Sequence, residues 1–316
     1  MTGSEAVPGL SFHSRTKIRI RALGTLLLLT LLVALPTGAG AVQADQAKPT
    51  HVFLWSVKGK GCTAFLLGSL HASTRGLYPL DVRILKAYAF CPRGVFEADI
   101  NEAGSAKARE MMLERGTYPK GQTLQQNVSV KTYRMLQERL KLLGLEEGRF
   151  AQMRPWLVSV TLAGLELKRL GFDAGNGIDA HFLRKARTDG KKVVFFETAG
   201  QQIDMLARAL SDRQEDLLRQ TMEELDVIRQ SSTDLESAWK RGDAARIEAL
   251  TRKSLKGYPA IEKKLFVERN TAWTGKIEKL LAQEGDVLVV VGAAHLVGEN
   301  GLIELLKRKG YEPVQE

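Results

Sequence analysis

Asp286–Gly298 reads DVLVVVGAAHLVG. Its consecutive residues Val287 to Val291 are apolar and mostly β-branched, the pattern of a strand buried on both faces inside a parallel sheet. The run breaks at Gly292 and delivers His295 three residues later; Gly298, Gly301 and an amphipathic helical segment, Leu302 to Lys309, follow. The same arrangement occurs once more, where the apolar Ala64 to Leu67 leads to Gly68 and then His71. A glycine just past a strand lets the backbone turn sharply and approach whatever fills the crevice. Ligands of open parallel sheets sit outside the carboxyl ends of the strands, so two histidines delivered there can converge. The chain has only five histidines, and two in one structural context mark a candidate site.

The 316 residues, 44% hydrophobic and 26% charged, have the composition of a globular protein with room for a sizeable core. Arg15, Lys17, Arg19 and Arg21 precede the apolar Ala22 to Leu35, and Val42-Gln43-Ala44 offers a small-residue cleavage site. Residues 1–44 therefore read as a signal peptide, with export to a periplasmic or secreted location. Residues 45–316 then form one α/β domain with no further membrane span. Removing residues 1–44 takes four basic residues and one acidic residue from a net charge of +10, leaving +7. That excess forms no basic block with interleaved aromatics, so nucleic acid is not the expected partner. The oligomeric state is not legible. Cys62 and Cys91 fit either a disulfide or two free thiols.

His51 to Val57 and Thr63 to Leu70 read as an N-terminal β-hairpin around Lys58-Gly59-Lys60-Gly61. A short strand, Val95 to Ile100, carries Glu97 and Asp99, and a third interior-type strand, Lys192 to Glu197, ends on Glu197. A carboxylate in an apolar strand is costly unless paired or bound. Ala103 to Leu170 is helical in pattern, and Gly171 to Asp179 is a glycine-rich loop leading to a helix whose His181 reads as solvated. About 204–268 reads as a helical insertion, with Asp226 to Gly242 mostly a solvated face. The expected architecture is a central, mainly parallel sheet with flanking helices.

If the strands are parallel, His71, Glu97, Glu197 and His295 open into one crevice. Imidazole plus carboxylate is the ligand set of a catalytic divalent metal with an open position for water. Neither H-E-x-x-H nor a G-x-S-x-G elbow is present.

These residues resemble a known family. Leu66 to His71 (LLGSLH), Glu97, Arg154-Pro155-Trp156, Gly177-Ile178-Asp179, Glu197 with Gln201, Arg269-Asn270, Val291 to Gly301 (VGAAHLVGENG) and Gly310-Tyr311 look like the TraB/PrgY/GumN family, which includes the TIKI proteases. The resemblance is to its bacterial GumN-like branch. It implies an α/β fold related to the erythromycin-esterase and ChaN-like groups, and a metal-dependent hydrolase or metalloprotease acting on a peptide or protein. It puts His71, His295 and Glu97 at the metal and Arg269 and Asn270 in a further polar pair. Manganese or cobalt is the metal of the TIKI branch, and the ligand types alone leave zinc open. In the full expectation Glu97, Glu197, Arg269 and Asn270 serve catalysis, Arg269 by stabilising negative charge. The rivals are a non-catalytic haem- or metal-binding protein and an accessory factor in envelope polysaccharide or peptide signalling.

Overall fold

A computed structural model describes residues 50–316 of the protein; the expected signal peptide, residues 1–44, lies outside the described residues. Its centre is a six-stranded sheet of β1 (Leu54–Lys58), β2 (Thr63–Ser69), β3 (Arg93–Phe96), β4 (Lys192–Phe195), β5 (Val287–Gly292) and β6 (Val314–Gln315), in the order β4-β3-β5-β2-β1-β6. β2, β5, β3 and β4 run parallel, whereas β1 pairs antiparallel with both β2 and β6. The fold is α/β, with the expected hairpin feeding a mainly parallel sheet. Every residue of β5 is buried, as its unbroken apolar run requires when strands flank both edges and helices cover both faces.

β4 departs from the interior reading. It is an edge strand with alternating exposure, and Val194 is 36% exposed. Lys192 and Val194 point to an exposed face and Val193 and Phe195 to a half-buried one. β3 is shorter than expected and stops at Phe96, so Glu97 sits on the loop just past the strand. Asp99 is structural: it caps α2 (Ile100–Ala103) by accepting from the Asn101 N–H, and it pairs with Arg187. Cys62 and Cys91 are both free and buried. They stand just before β2 and β3, which flank β5 from opposite sides, so their backbones are about 9.5 Å apart by strand spacing. A disulfide needs Cα atoms within about 7 Å.

Helices fill the crossovers. α1 (Val82–Phe90) links β2 to β3; α2, α3 (Ala106–Gly116), α4 (Val130–Leu143), α5 (Pro155–Arg169) and α6 (Ile178–Thr188) lie between β3 and β4. α7 (Ala199–Leu210), α8 (Gln214–Glu224), α9 (Ile228–Lys240), α10 (Ala244–Leu255), α11 (Pro259–Glu262) and α12 (Glu268–Leu281) lie between β4 and β5. α13 (Ala293–Leu296) and α14 (Leu302–Arg308) follow β5. Local chemistry sets several ends. Ser129 caps α4, Gly144 closes it in the left-handed region, and Pro155 opens α5. Gln201 completes a capping box with Thr198 on α7, which gives that residue of the resemblance a structural role. Arg154-Pro155-Trp156 is structural too: Arg154 lies over the Tyr118 ring and Trp156 is buried.

The insertion is packed more deeply than its charges suggest. Along α9, Ile228, Ser232, Leu235 and Trp239 recur at helical spacing and are buried, so 226–242 is not mostly a solvated face. Trp239 Nε1 donates to the Gly68 carbonyl at 2.6 Å, and Glu236 accepts from the Thr74 N–H and hydroxyl at 3.0 and 2.8 Å. The segment carrying His71 is thus gripped on both sides by one helix. Trp239→Ala is expected to cost about 3–5 kcal/mol, read as a lower urea midpoint. A change below about 1 kcal/mol would show that α9 merely lies against the sheet.

Candidate active site

β2, β3 and β5 deliver His71, Glu97 and His295 at one edge of the sheet. Glu97 Oε1 lies 3.8 Å from His71 Nε2 and 3.7 Å from His295 Nε2, and it accepts the Gly292 N–H at 2.6 Å. Gly292 belongs in the geometry. A Cβ there would fall 3.0 Å from His71 Nε2, 3.3 Å from Glu97 Oε1 and 3.5 Å from His295 Cδ2. The missing side chain leaves a gap bounded by both rings and the carboxylate.

The two histidines differ in their partners. His71 Nδ1 is 2.7 Å from Asp179 Oδ2, so the carboxylate holds a proton on Nδ1 and turns Nε2 towards the gap. His71 Nε2 is buried and has no hydrogen-bond partner. Burial pulls the His71 pKa down, but Asp179 foremost and Glu97 behind it outweigh burial and hold it at about 9. His295 is wholly buried between the Trp273 and Phe266 rings, at 4.6 and 4.9 Å. Its Nδ1 is 2.6 Å from Asn270 Oδ1, while Asn270 Nδ2 donates to the Asn300 carbonyl at 2.8 Å. That orientation leaves Oδ1 to accept from Nδ1–H. Nε2 therefore carries the lone pair, and it accepts from Arg269 Nη1 at 3.0 Å. Burial, opposed by Glu97, holds the His295 pKa at about 3, so the ring is neutral at physiological pH.

Arg269 knits the inner end together. It donates to Glu97 at 2.8 Å, to both oxygens of Glu197 at 2.9 to 3.2 Å and to the Leu265 carbonyl, and it lies 4.4 Å above the Trp273 ring. Leu265 lies in a single π-helical turn, Lys263–Val267, of the kind found at functional sites. Burial alone would raise the Glu97 pKa, but Arg269 chiefly, with the histidines and the Gly292 N–H, lowers it to about 2. Gln202 reaches both glutamates from α7, at 3.3 and 3.4 Å.

These shifts set how stability depends on pH in the metal-free protein. His295 titrates at about 3 in the fold against 6.5 when free, so its contribution is present above pH 6.5 and lost as pH falls towards 3. Glu97, at about 2 against 4.5, adds a loss at lower pH. His71, raised to about 9, contributes fully below pH 6.5 and loses that contribution as pH rises through 9. Unfolding free energy measured by urea should peak near neutrality and fall on both sides. In His71→Ala the alkaline fall should flatten; an unchanged alkaline limb would contradict the assignment.

The fit to a divalent metal follows from the same atoms. His71 Nε2 and Glu97 Oε1 face one gap, and Asp179 behind His71 completes the carboxylate-histidine pairing usual at metal sites. Three carboxylates, Glu97, Glu197 and Asp179, outnumber the two cations among them, Arg269 and protonated His71, a balance that favours a metal ion in place of the His71 proton. His295 must first lose the Arg269 hydrogen bond from Nε2. Among the described residues no group of three His, Cys, Asp or Glu side chains stands ready to hold a metal. His71 and Glu97 thus fit once a metal displaces the His71 Nε2 proton, with His295 third once Arg269 releases it.

Of the residues expected in the crevice, Glu197 touches neither ring and serves to hold Arg269, and Asn270 stands behind His295 as its orienting partner. His181 lies outside the cluster, half-buried against Tyr78 and Phe182 rather than fully solvated. Asp179 and Gln202 had no expected role, although Asp179 lies within the Gly177-Ile178-Asp179 segment, and Gly292 was expected only as the turn that lets the backbone approach the crevice. A cavity of about 410 Å³ opens on His71, Glu97, Asp179 and Gln202. His295 and Arg269 lie behind it.

A mainly parallel sheet with two Gly-x-x-His loops at its carboxyl edge, joined through a glutamate and an arginine, defines an α/β protein with a buried histidine and carboxylate cluster. The chain belongs to the TraB/PrgY/gumN family, whose model matches residues 53–315. It is similar to the uncharacterized protein YbaP of Escherichia coli (strain K12), with 26% identity over 242 residues that cover 77% of this chain and 87% of that protein. The match to YbaP of Shigella flexneri has the same identity and coverage. No solved structure matches the chain. No described helix is long and apolar enough to cross a membrane.

Proposed function

We propose that this protein is a metal-dependent hydrolase acting on peptide bonds. The observation that carries the reading is the buried, unpartnered His71 Nε2, oriented by Asp179 and facing Glu97 Oε1 across the gap above Gly292, on the wall of a cavity. His71 and Glu97 would hold a divalent metal, manganese, cobalt or zinc, with His295 joining when Arg269 releases Nε2. Such a metal, when bound, lowers the pKa of water and polarises a carbonyl.

The chain's own residues supply the rest. Asp179 fixes the His71 tautomer. Glu97 Oε1 accepts the Gly292 N–H and no side-chain donor, which leaves it open to ligate beside His71 Nε2. Arg269, clamped by Glu197 behind the cavity, holds Glu97 ionised, and its charge, its N–H groups being committed within the cluster, acts on developing negative charge from a distance. The basic and apolar pattern of residues 15–44 supports placing this reaction outside the cytoplasm, which N-terminal sequencing of the mature protein would test.

The deciding experiment is a peptide-library digest with purified protein, stripped by chelator and then restored with manganese, cobalt or zinc. Cleavage should need added metal and vanish in His71→Ala, while Asp179→Asn should weaken metal binding about 10 to 100-fold. Cleavage untouched by chelator, or a stripped protein that takes up no metal at millimolar concentration, overturns the reading.

A further inference from the structure

We propose that the cavity beside His71 recognises a bulky apolar side chain together with a nearby carboxylate. Resting on the hydrolase reading, this makes peptides of that kind the substrate class. The walls are apolar, formed by Phe96, Ile100, Met112, Leu183 and Ile203, and the volume of about 410 Å³ falls in the range of small-ligand sites, about 300–1,000 Å³. Two guanidinium groups, Arg109 and Arg184, line the same space, and both residues are exposed.

Among the described residues neither arginine has a carboxylate partner. The Arg109 side chain makes no hydrogen bond or ion pair among the described residues, and Arg184 gives one N–H to the Gly175 carbonyl at 2.8 Å. Asp99, which lines the same space, is already neutralised by Arg187. The uncompensated charge at the opening is therefore positive, next to an apolar interior. A guanidinium matches a carboxylate in a planar, two-point contact. A residue seated here would place its adjoining amide by His71 and Glu97. The carboxylate can be a peptide C-terminus or an acidic side chain one residue away.

Calorimetric titration of the full protein separates these sources without needing turnover. The probes are N-acetylphenylalanine, its amide, N-acetylalanine and N-acetyl-aspartyl-phenylalaninamide. N-acetylphenylalanine should bind at least tenfold more tightly than its amide and than N-acetylalanine, and raised salt should weaken it. The acid-over-amide preference should disappear in Arg109→Gln/Arg184→Gln, two exposed positions whose replacement leaves the fold intact. Equally tight binding of the aspartyl probe would assign the carboxylate to a side chain, whereas weak binding would assign it to the C-terminus. Equal affinity for acid and amide, or a preference that survives the double substitution, overturns the proposal. Selective binding without any cleavage would instead remove the hydrolase reading and leave this site standing.

Discussion

Arg269→Met is expected to destabilise the metal-free protein by about 3–5 kcal/mol. Arg269 is 7% exposed and stands between Glu97 and Glu197, which depend on it for their main compensating charge. Methionine fills much of the same volume against Trp273 but leaves two carboxylates close together in a region of low dielectric. The loss is the cost of stranded charge more than the net worth of the ion pairs, since desolvating three groups offsets much of their attraction. Removing the charge should therefore help. Arg269→Met combined with Glu97→Gln and Glu197→Gln should recover roughly half of the lost stability, because the three sites are strongly coupled. Urea unfolding near pH 7 with chelator present is the measurement, and a single-substitution loss below about 1 kcal/mol would show that the cluster is hydrated and relaxed.

Gly292→Ala should reduce metal-dependent cleavage by about 100-fold or more, because atoms that must meet at a reactive centre tolerate little displacement. Gly292 has φ −52° and ψ 137°, which any L residue can adopt, so no backbone strain confounds the result. The added methyl would sit 3.0 Å from His71 Nε2 and 3.3 Å from Glu97 Oε1, within the space that a shared cation would use. Overpacking should cost only about 1–3 kcal/mol, leaving the protein folded at room temperature. Gly68→Ala is the contrasting control. Its Cβ would fall 2.3 Å from the Phe53 ring, so it should damage stability first. Full activity in folded Gly292→Ala would place the chemistry elsewhere.

The legible part of the site was the part written in short, local patterns. Two apolar runs ending in Gly-x-x-His announced β2 and β5, and parallel pairing followed from their composition, so His71 and His295 could be placed on one edge. Glu97 stood out as a carboxylate beside an apolar strand. The role of Asp179 is not legible locally, because its partner His71 is 108 residues away in sequence. The pattern marks Gly292 as a turn, but only the folded neighbours show that its absent side chain also shapes the gap. The burial of Trp239 was hidden by the charged residues around it on α9.

The sequence by itself determined the α/β class, the hairpin, the buried central strand and the pair of histidines, since each depends on residues within one or two turns of one another. Only the tertiary structure decided that the histidines are unequal. Asp179 turns the Nε2 of one, protonated ring towards a cavity, while Arg269 occupies the lone pair of the other, neutral ring behind it. Electrostatic partnership depends on distance through space, and helices and strands far apart in the chain set those distances.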